Sequence, residues 1–276
     1  MKILYIAEIV GKAGVYAYKK GLPELKSRFN PDFIIACADG ATGGSGLGRN
    51  HAAYLHKLGA NALTLGECCF FKKDLTENLA KISYVLRPDN LNPEAPGIGS
   101  RVFKAGNLKV AVAVLLGQSS FRRIHSSSPF SGLPALLERL RLETPFTFID
   151  FHAQATAEKQ TFFAMADGHC SAAIGSHCRV QTGDAKVLPG GTAVITDAGR
   201  TGSQNSVGGT EPDSRIQEYL TGIPDWTKEA WAKPELQGVL IDIGDDGKAR
   251  SIERVQHEVP DAPNSGQEDN PDEDDD

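Results

Sequence analysis

The sequence predicts a layered α/β fold, and three observations lead to it. Short apolar, β-branched runs recur along the chain, segments with helical spacing separate them, and acids and histidines fall where the runs end. Runs of this length read as strands buried on both faces, and their alternation with helices reads as sheets covered by helices.

In chain order, the strand-like runs are residues 2–7, 33–38, 62–66, 110–116, 146–151, 172–175 and 193–196. Between them, residues 16–29, 49–58, 74–81, 133–142 and 156–166 have helical spacing. Two stretches break the alternation. Residues 101–116, with Gly106 and Asn107, and residues 238–259, with Asp246 and Gly247, read as β-hairpins, because these dipeptides favour tight turns. Mixed sheets with antiparallel edges are therefore expected. No internal repeat is apparent, so residues 1–259 read as one domain.

Composition narrows the class further. With 276 residues, 40% hydrophobic and 23% charged, the chain is long enough to bury one substantial core. Eight acids lie in residues 260–276; without them the formal net charge of −6 becomes +2. That tail combines Pro, Gly and like charges with almost no apolar residues, so it is expected to be disordered. A mildly positive body without a basic stripe argues against duplex nucleic acid as a partner. No apolar run reaches the length of about 18 residues that a membrane span needs, and MKILYIAEIV lacks the layout of a cleavable signal. Cys37, Cys68, Cys69, Cys170 and Cys178 are odd in number and scattered, which suits a reducing compartment. A cytoplasmic location is expected.

Candidate chemistry collects at the strand ends. Glu8, Asp39, Glu67, His152 and His177 each stand at or just past the C-terminal end of a predicted strand, the edge where open α/β sheets bind ligands. Taken singly, Glu8 reads equally as a solvated acid, Asp39 as a turn residue and His152 as a satisfied core histidine. Taken together, five metal-capable groups would converge. Glycines 11, 14, 40, 43, 44, 66, 175 and 199 cluster at the same ends, where backbone can approach an ion or phosphate closely. No Walker loop or dinucleotide fingerprint is present.

The segments IAEIVGKAG, ACADGATGG, TLGECCFFKKD, VLRPDN, FIDFHAQATAEK, IGSHCRVQT, LPGGTAVITDAGRTG and VLIDI resemble, in this order, the YmdB-type branch of the calcineurin-like metallophosphoesterases, from residue 1 to about 258. The resemblance implies a sandwich of two mixed sheets flanked by helices, a two-metal centre of iron or manganese, phosphodiesterase activity that includes cyclic nucleotides, and self-association. The chain departs from that pattern at the site. Glu8 stands for the family's Asp, Asp39-Gly40 for Glu-Asn, and Glu67-Cys68 for Asn-His. His152 and His177 keep the family identity, and Arg179 replaces a second histidine.

By the resemblance, Asp39, Glu67, His152 and His177 would hold one metal, and two imidazoles with two carboxylates suit iron, manganese or zinc. The other metal would depend on Glu8, Asp39 and position 179. An arginine stays protonated and cannot coordinate a cation, so one metal per site, or none, is expected. Arg179 would then pair with Glu8 and Asp39, or clamp a substrate phosphate. Cys68 stands where the family histidine protonates the leaving oxygen, a step that a thiol performs poorly.

Three functional readings follow. One is a modified phosphoesterase acting on a phosphorylated small molecule or cyclic nucleotide. Another is a pseudoenzyme that senses a ligand or binds a protein partner. A third uses the sulfurs, with Cys68, Cys178, His152 and His177 forming a zinc or redox site, although Cys178 directly follows His177 and would point the other way. His51 and His56 read as surface-like helical residues, His125 and His257 as loop and near-tail residues, and His169 as a turn residue. Asp197 is a candidate for orienting an imidazole. Residues 119–131 and 202–210 read as specificity loops, with Arg122 and Arg123 open between phosphate contact and solvation.

Overall fold

The computed structural model describes residues 1–119, 121, 123–224 and 228–261. Arg122 and residues 262–276 of the acidic tail lie outside them. From β1 (Lys2–Ile6) the chain runs through β2 (Glu8–Ile9), α1 (Gly11–Phe29), β3 (Phe33–Cys37), α2 (Arg49–Leu58), β4 (Ala62–Thr64), α3 (Lys73–Thr76) and β5 (Val85–Leu86). There follow β6 (Ser100–Ala105), β7 (Leu108–Leu116), α4 (Pro129–Arg141), β8 (Thr147–His152), α5 (Thr156–Ala166) and β9 (Ala172–Ser176). The last elements are β10 (Lys186–Val187), β11 (Ala193–Ile195), β12 (Arg200–Ser203), α6 (Pro212–Thr221), β13 (Pro234–Ile243) and β14 (Ala249–Glu258).

Among these elements are two mixed sheets, ordered β2-β12-β13-β1-β3-β4-β5, with β14 pairing β13, and β10-β11-β9-β8-β7-β6. The period of two along each strand builds the layers. In β1, Ile3 and Tyr5 enter a core shared with Val112, Val114, Phe148 and Ile174 of the other sheet. Leu4 and Ile6 face the opposite way, onto Tyr18, Leu22 and Leu25 of α1. In the second sheet Ile149 and Phe151 face α4 and α5 through Leu137, Phe162 and Phe163. Helices thus cover the outer faces of two stacked sheets, as expected.

Both predicted hairpins form, β6 with β7 and β13 with β14, each antiparallel. Gly106 and Gly247 take positive φ at their turns, where a side chain would strain the backbone. Capping chemistry ends the helices: Ser128 caps α4 ahead of Pro129, and Asn30 closes α1 in the left-handed region. Several boundaries differ from the sequence expectation, among them the start of α4, which lies at Pro129 rather than near Leu133. Helix α1 begins at Gly11, because the apolar stretch before Tyr16 is already buried. Residues 74–81 divide into α3 and a separate 3₁₀ turn at Leu79–Lys81. The loop expected from residue 202 begins inside β12, which pairs with β2 and β13. No helix among the described residues is long and apolar enough to cross a membrane.

Candidate metal centre

Strands β1, β3 and β4 run parallel in one sheet, and β8 and β9 run parallel in the other, so their carboxyl ends deliver side chains to one place. Donor atoms of Glu67, His152 and His177 come within 4.8 Å of one another, and those of Asp39, Glu67 and Cys68 form an overlapping group. Glu67 bonds the His152 Nε2 and lies 3.2 Å from the His177 Nδ1. The two ring nitrogens are 3.2 Å apart, and Asp39 Oδ2 is 3.8 Å from His152 Nε2. Asp39 is fixed by the backbone N–H groups of Gly66 and Cys68. Gly66 must be glycine, since a Cβ there would lie 2.2 Å from His152 Nε2.

The orientation of His152 comes from residues that the strand-end survey passed over. Ser176 Oγ donates to Asp150 Oδ1 at 2.6 Å, so its oxygen is left to accept the His152 Nδ1 proton at 2.9 Å. Nε2 is thereby aimed at Glu67 and His177. Asp150 in turn accepts from Tyr5 and Thr64 of the other sheet, at 2.8 and 2.5 Å. The signal was available in FIDFH: Asp150 lies two residues before His152, hence on the same face of β8. Asp197, the residue expected to orient an imidazole, instead takes the fully buried Lys159 ammonium at 2.8 Å and the Cys178 N–H at 2.8 Å.

Local charge follows from this packing. Burial opposes ionisation of Glu67, but the His152 charge and then hydrogen bonds from both histidines hold it well below the usual carboxylate range. Burial, followed by the charge of Glu67, pushes Asp39 up to about 7. Burial also opposes protonation of His152, yet Glu67 raises it well above the ordinary histidine value. The Cys68 thiol is raised by burial and then by Asp39, Glu67 and Glu8, so it stays protonated.

Glu8 and Arg179 form a separate pair beside this cluster. Arg179 donates to Glu8 Oε1 through Nε at 3.0 Å and Nη2 at 2.7 Å, and to the Gly44 and Gly208 carbonyls. Glu8 is 2% exposed, and its Oε2 has no partner. Gly40 leaves room for the pair, since a Cβ there would come within 2.9 Å of both groups. His177 and Arg179 both have positive φ, 96° and 60°, a range costly for residues with side chains. Cys178 between them turns towards Lys159 and the Gln154 carbonyl, and it is absent from the converging donors among the described residues. The sulfur-based site does not assemble.

The donor set fits one divalent cation. Glu67 lies against both imidazoles and Asp39 lies near Glu67 and His152, and His152 Nδ1 is tied back so that Nε2 faces these carboxylates. The donors do not fit a second cation, because a guanidinium stands on Glu8 where one would sit. Over the cluster opens a cavity of about 240 Å³ lined by Glu67, His177, Phe71, Phe121, Arg123 and Ile124. Phe121 stacks on His152 and meets His177 edge-on. Of the other histidines, His51 is buried rather than surface-like and bonds Thr42, and His56 stacks on Tyr84.

Two stacked mixed sheets with helices on their outer faces are the calcineurin-like metallophosphoesterase fold. The architecture is shared with a 5′-nucleotidase precursor from Thermus thermophilus at a TM-score of 0.61 and 11% identity, covering 94% of this chain and 54% of that one. Within that class the chain belongs to the YmdB-like family, whose model matches residues 4–255. A 2′,3′-cyclic-nucleotide 2′-phosphodiesterase of Bacillus subtilis (strain 168) is 36% identical over 256 residues, covering 92% of this chain and 96% of the relative. A novel phosphatase from Mycoplasma pneumoniae superposes with a TM-score of 0.87 at 30% identity, covering 95% of each chain. A hypothetical protein, also from Thermus thermophilus, superposes with a TM-score of 0.86 at 30% identity, covering 94% of this chain and 100% of that one.

Proposed function

We propose that this chain hydrolyses nucleotide phosphodiesters, 2′,3′-cyclic nucleotides among them, with one divalent cation held by Asp39, Glu67, His152 and His177, and with Arg179 in the place of a second. The observation that carries the proposal is the Arg179 guanidinium, bonded to buried Glu8 beside two donor groups that share Glu67. Relatives named as a cyclic-nucleotide phosphodiesterase and a phosphatase support the substrate class. Iron or manganese is the expected cation, and zinc suits the same donors.

The cation, when bound, supplies Lewis-acid polarisation of a phosphoryl oxygen and acidifies water. The protein's residues supply the rest. Asp150 and Ser176 keep His152 Nε2 aimed inwards. Arg179 provides fixed positive charge for the phosphoryl group without titrating, the role of a guanidinium in phosphate recognition. Phe121, Phe71 and Ile124 offer apolar surface to a nucleobase, and Arg123 offers a further cation at the mouth. Cys68 stands at the proton-donor position, but its raised thiol is a weak acid, and this favours the second reading, a catalytically silent ligand-binding protein. A cytoplasmic setting belongs to the proposal, supported by five free thiols. Self-association belongs to it too, supported by the exposed Ile216, Tyr219 and Leu220 of α6.

Elemental analysis of protein purified without chelator, paired with 2′,3′-cyclic AMP hydrolysis in manganese, iron and zinc, tests the proposal. About one cation per chain, with turnover lost in Asp39→Ala, is expected. No cation and no turnover under any supplement would assign the silent role instead.

A further inference from the structure

A second cavity, of about 450 Å³, opens beside Arg179 and shares no lining residue with the cavity over the metal cluster. Arg179, Arg200, Gln181, Gln204, Gln237 and Gln256 contribute to its wall, and no carboxylate does. Arg200 is 5% exposed. Its guanidinium donates to the Ser203 carbonyl at 3.1 Å, the Arg179 carbonyl at 2.9 Å and Gln204 Oε1 at 3.4 Å, all neutral acceptors. Among the described residues no carboxylate stands within ion-pair distance of it, and Glu8 is already taken by Arg179. Glu235 and Glu8 act on the Arg200 charge only from beyond ion-pair distance, so a wall with two guanidinium groups and no carboxylate is a place for an anion.

Inorganic phosphate would leave most of the volume empty; the cavity is in the range of about 300–1,000 Å³ typical of small-molecule sites. We propose that this cavity is a second ligand site, separate from the metal centre, for a small organic anion. The anionic group pairs with Arg200. Because Arg200 holds the carbonyl of Arg179, and Arg179 holds Glu8, the occupant touches the residue that closes the second cation position.

Titration calorimetry on the full chain, with adenosine 5′-monophosphate as the phosphate probe and L-malate as the carboxylate probe, tests this. At least one probe is expected to bind with a Kd below about 1 mM, and which one binds identifies the anionic group. That binding should persist in His177→Ala and weaken at least tenfold in Arg200→Gln. Gln256→Glu gives an independent arm, since Gln256 is exposed on β14 and the change adds an acid to the wall without touching the core; it too should weaken binding tenfold. Failure of both probes to bind overturns the proposal. So does binding that is lost in His177→Ala and kept in Gln256→Glu.

Discussion

Replacing Arg179 by alanine leaves a buried carboxylate with nothing to face. Glu8 is 2% exposed and takes two hydrogen bonds from the guanidinium, which also bonds the Gly44 and Gly208 carbonyls. Removing one partner of a buried pair costs about 3–5 kcal/mol. The Arg179 side chain is 22% exposed, so solvent screens part of this, and the low end, about 3 kcal/mol, is expected. Urea unfolding of metal-free protein measures it. On a Glu8→Gln background the charge is gone and the same truncation should cost about 1 kcal/mol, leaving a coupling energy of about 2 kcal/mol. A coupling below about 0.5 kcal/mol would mean that the pair does not act as a unit, and the reasoning fails. The complementary change, Arg179→His, places a neutral ligand beside Glu8 and Asp39 and should admit a second manganese per chain. Unchanged metal content in that variant would refute the claim that the guanidinium is what excludes it.

Other outcomes follow from the same geometry. Asp150→Asn puts an amide where three hydroxyls donate, so it should cost about 1–3 kcal/mol and weaken cation affinity about 10–100-fold, while Asp150→Glu should recover part of the affinity if orientation is what matters. Gly66→Ala drives a methyl into His152, with about 1–3 kcal/mol of overpacking and loss of cation binding by calorimetry. Cys68→His should raise phosphodiester turnover, by as much as about 10²-fold; no change would remove leaving-group protonation as the missing step. Asp39, raised to about 7, contributes stability that is present below the unfolded value near 4 and lost as pH rises through about 7. Metal-free protein should therefore weaken at this group from about pH 4 to 7, and cation affinity should rise over that window as the proton leaves. Calorimetry in buffers of different ionisation enthalpy should register more proton release at pH 6 than at pH 8.5.

The sequence by itself determined the layered α/β class, the hairpins and the edge at which the chemistry collects. These rest on short-range periodicity and on turn dipeptides such as Gly106-Asn107, which act locally wherever the chain goes. It also pointed to Glu8, Asp39, Glu67, His152 and His177, because parallel strands send their carboxyl ends the same way. Tertiary structure decided which of these meet. Glu67 joins both histidines, whereas Glu8 is drawn to Arg179 by two hydrogen bonds that span 171 residues of chain. Asp197 looked suited to orient an imidazole, yet Lys159, buried from α5, claimed it first. That task fell to Asp150 through Ser176, a relay completed by hydroxyls from the opposite sheet. No local pattern encodes such a choice, because it depends on which unsatisfied polar groups the stacking of two sheets brings within about 3 Å of one another.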